Sequence, residues 1–550
     1  MSQFFMNQKQ NVVNEAIEGI LLSSPHANLS RLALGPQMRV IVRNDWDKSR
    51  VALISGGGSG HEPAHIGFVG KGMLTAAVCG DIFASPSVDA VLHAIINVTG
   101  EAGCLLIVKN YTGDRLNFGL AAEKAKQLGY RVAMVMVRDD IALPDNPQPR
   151  GIAGTAMVHK VAGYAAEQGQ SLEQVTALAQ RAGEATASIG LAFTTCHVPG
   201  EARDDRRVPQ GGSELGMGIH GEPGASTLNT QNSREIVTAL VQRLCAKSTG
   251  RSLALMVNNL GGFSALEMAL LTRETLHSAL GKQVKLLIGP ATLVSALDMK
   301  GFSLSIMQLD DELETALLAP VETSGWANAI PPVAVTEVEA KRAAQQQTFT
   351  PSANPTVAAT LKTLCQTLMD LESELNQLDA KVGDGDTGST FAAGARSVLE
   401  ASEAQQLPLN QPDALLTVVG EKLATVMGGS SGVLMSIMFT AAGQQLTQGA
   451  SLAQALSTGL ERMQHYGGAQ VGDRTMIDAL HPAFAALLNG EDLAAVAAAA
   501  RQGAESTCTM RSARAGRSSY LNQESLDGVK DPGACAVEKV FAALAAGHRA

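Results

Sequence analysis

The sequence predicts a two-lobed α/β domain followed by an all-α domain, on three observations. Up to about residue 330 short apolar runs alternate with segments of helical spacing, and beyond about residue 356 the spacing is helical throughout. Between them Pro331, Pro332, a charged and glutamine-rich stretch over 337–347, Pro351 and Pro355 mark a linker. The expected boundaries are 1–330 for the α/β domain, 331–355 for the linker and 356–550 for the helical domain.

In chain order, the runs at 51–54, 105–108, 132–137, 253–257, 284–288 and 304–307 are short, β-rich and largely apolar. Such runs belong to strands buried on both faces, the habit of parallel sheets between helices. The polar, glycine-rich stretch 194–232 interrupts them and divides the domain into lobes of about 1–193 and 194–330. After the linker, Val357, Leu361, Leu364, Leu368, Leu371, Leu375 and Leu378 recur at alternating intervals of four and three residues. That spacing puts them on one face of a single helix of about six turns. Further alanine-rich helices, parted by glycine, are expected at 415–427, 432–444, 475–488 and 493–500.

Of the 550 residues 45 % are hydrophobic and 17 % charged, which suits large cores and excludes a disordered chain. No apolar run reaches the length of a membrane span, and the first fifteen residues lack a basic-then-apolar export signal, so a cytoplasmic location is expected. Seven cysteines stand singly with no CxxC pair, which points away from disulfides or a cysteine zinc site. A net charge of −10, 4 % aromatics and the lack of a basic run argue against nucleic acid. The expected partner is a small molecule, and an anionic one needs a metal ion or converging amides to offset the protein's own field.

Ser55-Gly56-Gly57-Gly58-Ser59-Gly60-His61 follows the first strand, where open α/β sheets place ligands on flexible loops. It matches neither GxGxxG nor a P-loop, and a bare glycine turn fits as well, although His61 adds a candidate acid or base. The strand 105–108 leads into Lys109-Asn110-Tyr111-Thr112-Gly113-Asp114, whose Lys109 and Asp114 face His61 if the two strands are parallel. Asp114 equally suits a partner for Arg115 or a helix cap. A third candidate is His220, held between glycines in Gly218-Ile219-His220-Gly221-Glu222-Pro223-Gly224.

Past the linker, Asp379, Asp384 and Asp386 lie within eight residues at the C-terminal end of the leucine-periodic helix. Three carboxylates facing a negative helix end call for a cation, and an oxygen-only set favours Mg2+; the alternative is a solvated acidic turn. An EF-hand is excluded, because Ala395 stands where its bidentate glutamate belongs. Gly428-Gly429-Ser430-Ser431-Gly432, opening the next helix but one, has the make-up of a phosphate-binding amide cluster, or of an ordinary helix cap.

These motifs, with Gly472-Asp473-Arg474-Thr475-Met476 and Asp531-Pro532-Gly533, resemble those of the ATP-dependent dihydroxyacetone (glycerone) kinases in their single-chain form, over nearly the whole length. The resemblance implies that His220 bonds to the substrate's carbonyl carbon as a hemiaminal, selecting dihydroxyacetone or glyceraldehyde and rejecting polyols such as glycerol. It implies that Gly58, Ser59, Gly60, His61, Lys109 and Asp114 hold the substrate, with His61 and Asp114 assisting deprotonation of the attacking hydroxyl. Asp379, Asp384 and Asp386 are implied ligands of two Mg2+ ions bridging the ATP phosphates. Ser430 and Ser431 are implied phosphate contacts, and Thr387, Gly388, Gly432, Thr475, Met476, Asp531, Pro532 and Gly533 complete the implied ATP site. A substrate-binding α/β domain, a barrel of antiparallel helices for the nucleotide, a homodimer and a place in glycerol metabolism are implied as well. Thr387 stands where subunits recharged by a phosphoprotein carry His, which favours free exchangeable ATP. Two other readings stay open: cleavage of FAD to a cyclic flavin phosphate at the same nucleotide site, and a noncatalytic carbonyl-binding regulator, against which the acidic triad counts.

Overall fold

The computed structural model describes residues 4–201, 208, 211–341, 349–514 and 526–547. Parts of the polar stretch 194–232 and of the expected linker lie outside these residues. The chain forms two compact units, Met1–Glu337 and Val338–Ala550.

The first unit opens with α1 (Val12–Leu22) and a sheet of β1 (Leu29–Arg31), β2 (Arg39–Arg43), β3 (Ala52–Ser59), β4 (Ala76–Ile82), β5 (Cys104–Lys109) and β6 (Val132–Val137). The strand order is β1-β2-β4-β3-β5-β6. Strands β4, β3, β5 and β6 run parallel, with α2 (Val88–Val98) linking β4 to β5 and α3 (Thr112–Gln127) linking β5 to β6, while β1 and β2 are antiparallel. After α4 (Thr155–Glu167) and α5 (Leu172–Glu184) come β7 (Thr186–Ala192), β8 (Ser213–Leu215), β9 (Ser226–Leu228), α6 (Ser233–Cys245), β10 (Leu253–Asn259), α7 (Ala265–Leu276), β11 (Val284–Ala291), β12 (Gly301–Gln308), α8 (Asp311–Leu318) and β13 (Ala329–Ile330). These strands form a second sheet in the order β13-β11-β10-β12-β7-β8-β9.

The expectation of parallel strands fails in this second sheet, where only β10 and β11 run parallel. The link from β11 to β12 has no helix and is too short for a parallel crossover. What the apolar runs reported was burial on both faces. Residues from both sheets share one core with α4, α5 and α8, while α2 and α3 cover the far face of the first sheet and α6 and α7 that of the second. Because β7 already belongs to the second sheet, the division expected near residue 193 falls after that sheet has begun.

The second unit contains α9 (Pro355–Asp370), α10 (Glu372–Asp379), α11 (Thr387–Glu403), α12 (Pro412–Val426), α13 (Gly429–Thr447), α14 (Leu452–Gly467), α15 (Ile477–Leu488), α16 (Leu493–Ser506) and α17 (Pro532–Gly547). The single six-turn helix expected from the leucine spacing is two helices. The chain breaks at Leu371, whose ψ of −2° departs from helical geometry while the apolar face continues. Each helix from α11 to α17 packs on the next, and α17 returns to α9, which packs on α11, so the ring closes. Its interior is apolar, with a cavity of about 550 Å³ bordered by Leu361, Phe391, Leu423, Met438 and Phe484. Among the described residues no helix is long and apolar enough to cross a membrane.

Candidate active site

The glycine cluster after the first apolar run is strand, not flexible loop: β3 continues to Ser59. A Cβ on Gly56 would lie 2.2 Å from the Val78 carbonyl oxygen, and one on Gly58 would lie 2.7 Å from the Ala84 nitrogen, so glycine lets β3 pass close to β4 and the turn beyond it. The strand delivers His61 to the sheet edge at which β5 delivers Lys109, while Asp114 enters from the first turn of α3. Lys109 and Asp114 both lie 3.7 Å from where a Gly57 Cβ would be.

His61 is buried, and its Nδ1 faces the Ser295 carbonyl oxygen at 2.8 Å. Burial, with Lys109 and His220 near by, pushes its imidazole well below the usual histidine range, so a proton added to its second nitrogen is readily given up. Its Nε2 lies 3.1 Å from Nε2 of His220. Tyr111 stands edge-on to the His220 ring at 4.6 Å and Phe83 does so at 5.7 Å, walling a small site. Burial lowers Lys109, against the pull of Asp114, and raises Asp114, against the pull of Lys109. The Asp114 carboxylate accepts the Ser85 hydroxyl at 2.5 Å, and neither the Arg115 pair nor a cap forms. Ser59 turns its hydroxyl away, donating it to the Gly80 carbonyl at 2.8 Å. Gly60, at φ +97°, donates its N–H to Glu62. His61, Lys109, Asp114 and His220 are thus brought together.

In the second unit Asp379, Asp384 and Asp386 each offer a carboxylate oxygen within 4.8 Å of the others. Oδ2 of buried Asp379 accepts the N–H groups of Gly385, Asp386 and Thr387 at 3.1, 3.0 and 3.1 Å, which curls the loop around it. Three hard oxygen donors with no nitrogen or sulfur among them fit Mg2+. Gly388 has its own reason: a Cβ there would lie 2.0 Å from the Glu372 carbonyl oxygen.

The cluster 428–432 is the first turn of α13, with Gly429 at φ +67°. The N-cap is Gly428, which has no side chain to cap Gly429, Ser430 and Ser431, so their amides suit an anion. Gly432 packs against Met427, whose carbonyl oxygen would be 2.7 Å from a Cβ. Asp478 accepts the N–H groups of Gly472 and Thr475, shaping the turn that presents Met476, and Met476 lies against Gly533. Asp531 is a helix cap: its carboxylate accepts the Ala534 N–H at 2.8 Å, with Pro532 at the first position of α17. Burial raises its carboxyl to about 6, and Asp478 and Asp379 are close enough to add to the rise.

Sequence reasoning gave no role to Glu222, Tyr111, Phe83, Ser295 or Arg474. Glu222 had a signal, two residues beyond His220 in the same glycine turn; Phe83 and Ser295 had none, because they meet the site only through tertiary packing. Arg474 is buried at φ +62° and donates to the Val529 carbonyl oxygen, while its Nε and Nη1 have no partner among the described residues.

Two family models match the chain, the Dak1 domain over residues 22–325 and the DAK2 domain over 381–546. It is 59 % identical over 548 residues to the dihydroxyacetone kinase of Citrobacter freundii, covering 99 % of each chain. It is 38 % identical over 579 residues to triokinase/FMN cyclase of Homo sapiens, again with 99 % of each covered. Among solved structures, the C. freundii dihydroxyacetone kinase in complex with AMP-PNP and Mg2+ is similar over 100 % of both chains, with a TM-score of 0.76 and 56 % identity.

Proposed function

The chain belongs to the dihydroxyacetone kinase family, and from that premise we propose that it transfers the γ-phosphoryl group of ATP to dihydroxyacetone held covalently on His220. The observation that carries this reading is the His61–His220 contact in a site walled by Tyr111 and Phe83. A three-carbon ketone has too little surface for tight noncovalent binding, and a bond from the His220 Nε2 to its carbonyl carbon fixes its position instead. Lys109 and the backbone around Gly58 hold its oxygens, with Gly60, its N–H taken by Glu62, shaping the turn. Asp114, raised by burial and close to Lys109, takes the proton of the attacking hydroxyl. Glyceraldehyde fits the same chemistry, and glycerol, without a carbonyl, does not.

Residues 1–330 serve substrate binding and 356–550 bind nucleotide. Asp379, Asp384 and Asp386 would hold two Mg2+ ions, which when bound neutralise phosphate charge for in-line transfer. Ser430, Ser431 and Gly432 offer helix-start amides to phosphate; Thr387, Gly388, Thr475, Met476 and the turn of Asp531, Pro532 and Gly533 border the nucleotide. We expect a cytoplasmic homodimer, its mass read by sedimentation equilibrium.

A coupled ADP-release assay with dihydroxyacetone, glyceraldehyde and glycerol tests the reading. Turnover is expected with the first two and absent with glycerol, and His220→Ala should lose it. Full ketone turnover by His220→Ala would refute the covalent assignment. A second reading, favoured by the human relative's name, is that the nucleotide site also splits FAD into AMP and a cyclic flavin phosphate; it releases no ADP and is read by chromatography of those two products.

A further inference from the structure

We propose that Glu222 is a positioning residue for the covalent step, fixing His220 with Nε2 toward the ketone and supplying the fixed negative charge that the alkylated imidazole needs. This rests on the reading of His220 as the covalent residue. One carboxylate grips His220 twice: Oε1 lies 3.0 Å from the ring Nδ1, and Oε2 accepts the His220 backbone N–H at 3.0 Å. The turn is folded to allow this. Gly221 adopts φ +79°, and the Gly218 N–H donates to the Glu222 carbonyl oxygen at 3.0 Å. A Cβ on Gly218 would fall 1.9 Å from Glu222 Oε2, so the carboxylate occupies the space where any other residue would carry a side chain. Arg150 Nη1 borders the same space, Tyr111 and His61 touch the His220 ring, and Asp114 lies near enough to interact with it, with Lys109 beside Asp114.

The chemistry follows from proton placement. His61 Nδ1 meets a carbonyl oxygen, so it carries a hydrogen, and His220 Nδ1 meets a carboxylate, so it carries one too. Both Nε2 atoms are then lone pairs, and a 3.1 Å contact between them requires one shared proton. With that proton on His61 Nε2, the His220 Nε2 pair attacks the carbonyl carbon, and the C=O π pair moves to oxygen, which takes the proton from His61. The products are a hydroxyl on a tetrahedral carbon, neutral His61, and a His220 ring carrying one positive charge beside the Glu222 carboxylate. The charge sums match before and after, and Glu222 is the counter-charge in both states. Burial pushes the Glu222 carboxyl up, but its bonds to His220 outweigh that and hold it at about 2, so it stays ionised.

Two variants test this by different routes: Glu222→Gln removes the charge, and Gly218→Ala displaces the carboxylate without changing any charge. With [2-13C]dihydroxyacetone, 13C NMR separates the bound ketone from the tetrahedral adduct. Either variant should lose about ten- to hundredfold in adduct, the worth of a charged hydrogen bond, with KM for the ketone rising and KM for ATP unchanged. In the ligand-free protein, 15N shifts of His220 should report hydrogen on Nδ1 in the wild type and a mixture of tautomers in both variants. Wild-type adduct levels together with an unchanged tautomer in both variants would overturn the proposal. A wild-type protein that turns over ketone with no tetrahedral carbon would sink the covalent reading itself, independently of either variant.

Discussion

Asp379→Asn separates the two jobs of one side chain. Oδ2 accepts three amides of the acidic loop, and the same carboxylate belongs to the triad of candidate Mg2+ ligands. Asparagine keeps an oxygen acceptor and loses the charge. A hydrogen bond to a charged acceptor contributes about 1.5–3 kcal/mol net and a neutral one about 0.5–1.5 kcal/mol. Each of the three therefore weakens by about 1 kcal/mol, and because they share one oxygen the losses do not add fully, leaving about 1–3 kcal/mol for the loop. Taking the charge off a direct ligand should cost at least as much as the roughly 10–100-fold loss of a supporting partner, so the Mg2+ affinity should fall by about 100-fold. The assay is ADP release titrated with Mg2+, with hydrogen exchange at Gly385, Asp386 and Thr387 read in parallel and expected to quicken by about tenfold. Asp384→Asn should raise the Mg2+ requirement without that change in exchange. If Asp379→Asn titrates with Mg2+ like its parent, Asp379 holds no metal and the assignment of the cluster is wrong.

Gly388→Ala puts a Cβ 2.0 Å from a backbone oxygen that cannot move aside, so it should destabilise the second unit by about 1–3 kcal/mol and depress ATP turnover, read by urea unfolding and ADP release. The Asp531 carboxyl is raised to about 6 by burial, against about 3.9 in an unfolded chain; it aids the folded state fully below the lower value, and that aid, about 3 kcal/mol, is lost as pH rises through the upper one. Asn keeps the cap, so in EDTA Asp531→Asn should gain about 2 kcal/mol more over its parent at about pH 7.5 than at about pH 4.5, and an equal difference at both would show that the carboxyl is not raised. Phe83 holds φ +56° and lies 5.0 Å from the His61 ring. Phe83→Ala should raise kcat/KM for a four-carbon ketose relative to dihydroxyacetone by about tenfold, measured with the two in competition.

What could be read from the sequence, and what could not, divides on physical lines. The run at 105–108 announced a strand because burial on both faces leaves a short, uninterrupted apolar run, whereas the equally apolar 132–137 is the edge strand β6, with Met134 exposed. The same logic hid strand direction, since β12 is as buried as any parallel strand yet lies antiparallel to both neighbours. The break at Leu371 was hidden too, because the leucine face continues through it. His61, Lys109 and Asp114 were legible together only because β3 and β5 are parallel, which sends their ends to one edge. Ser295 and Phe83 reach the histidines from remote segments with no local pattern to mark them.

Glycine carries the most information and the most ambiguity. The expectation that glycine-rich segments are flexible fails at 56–59, where the missing side chains serve close packing within a strand. Close packing also accounts for Gly388 and Gly432, each pressed against a carbonyl oxygen. Gly218 adds a third use, leaving room for a carboxylate that must reach a histidine two residues away. In every case the glycine is required by what fills the place of its Cβ: a backbone oxygen marks packing, and a charged side chain marks chemistry. By that criterion Gly383, whose Cβ would lie 2.3 Å from Asp379 Oδ1, belongs with Gly218. Gly383→Ala should then push the Asp379 carboxylate out of place and raise the Mg2+ requirement of ADP release, although it alters no ligand. An unchanged Mg2+ titration in that variant would show that the close approach is packing alone.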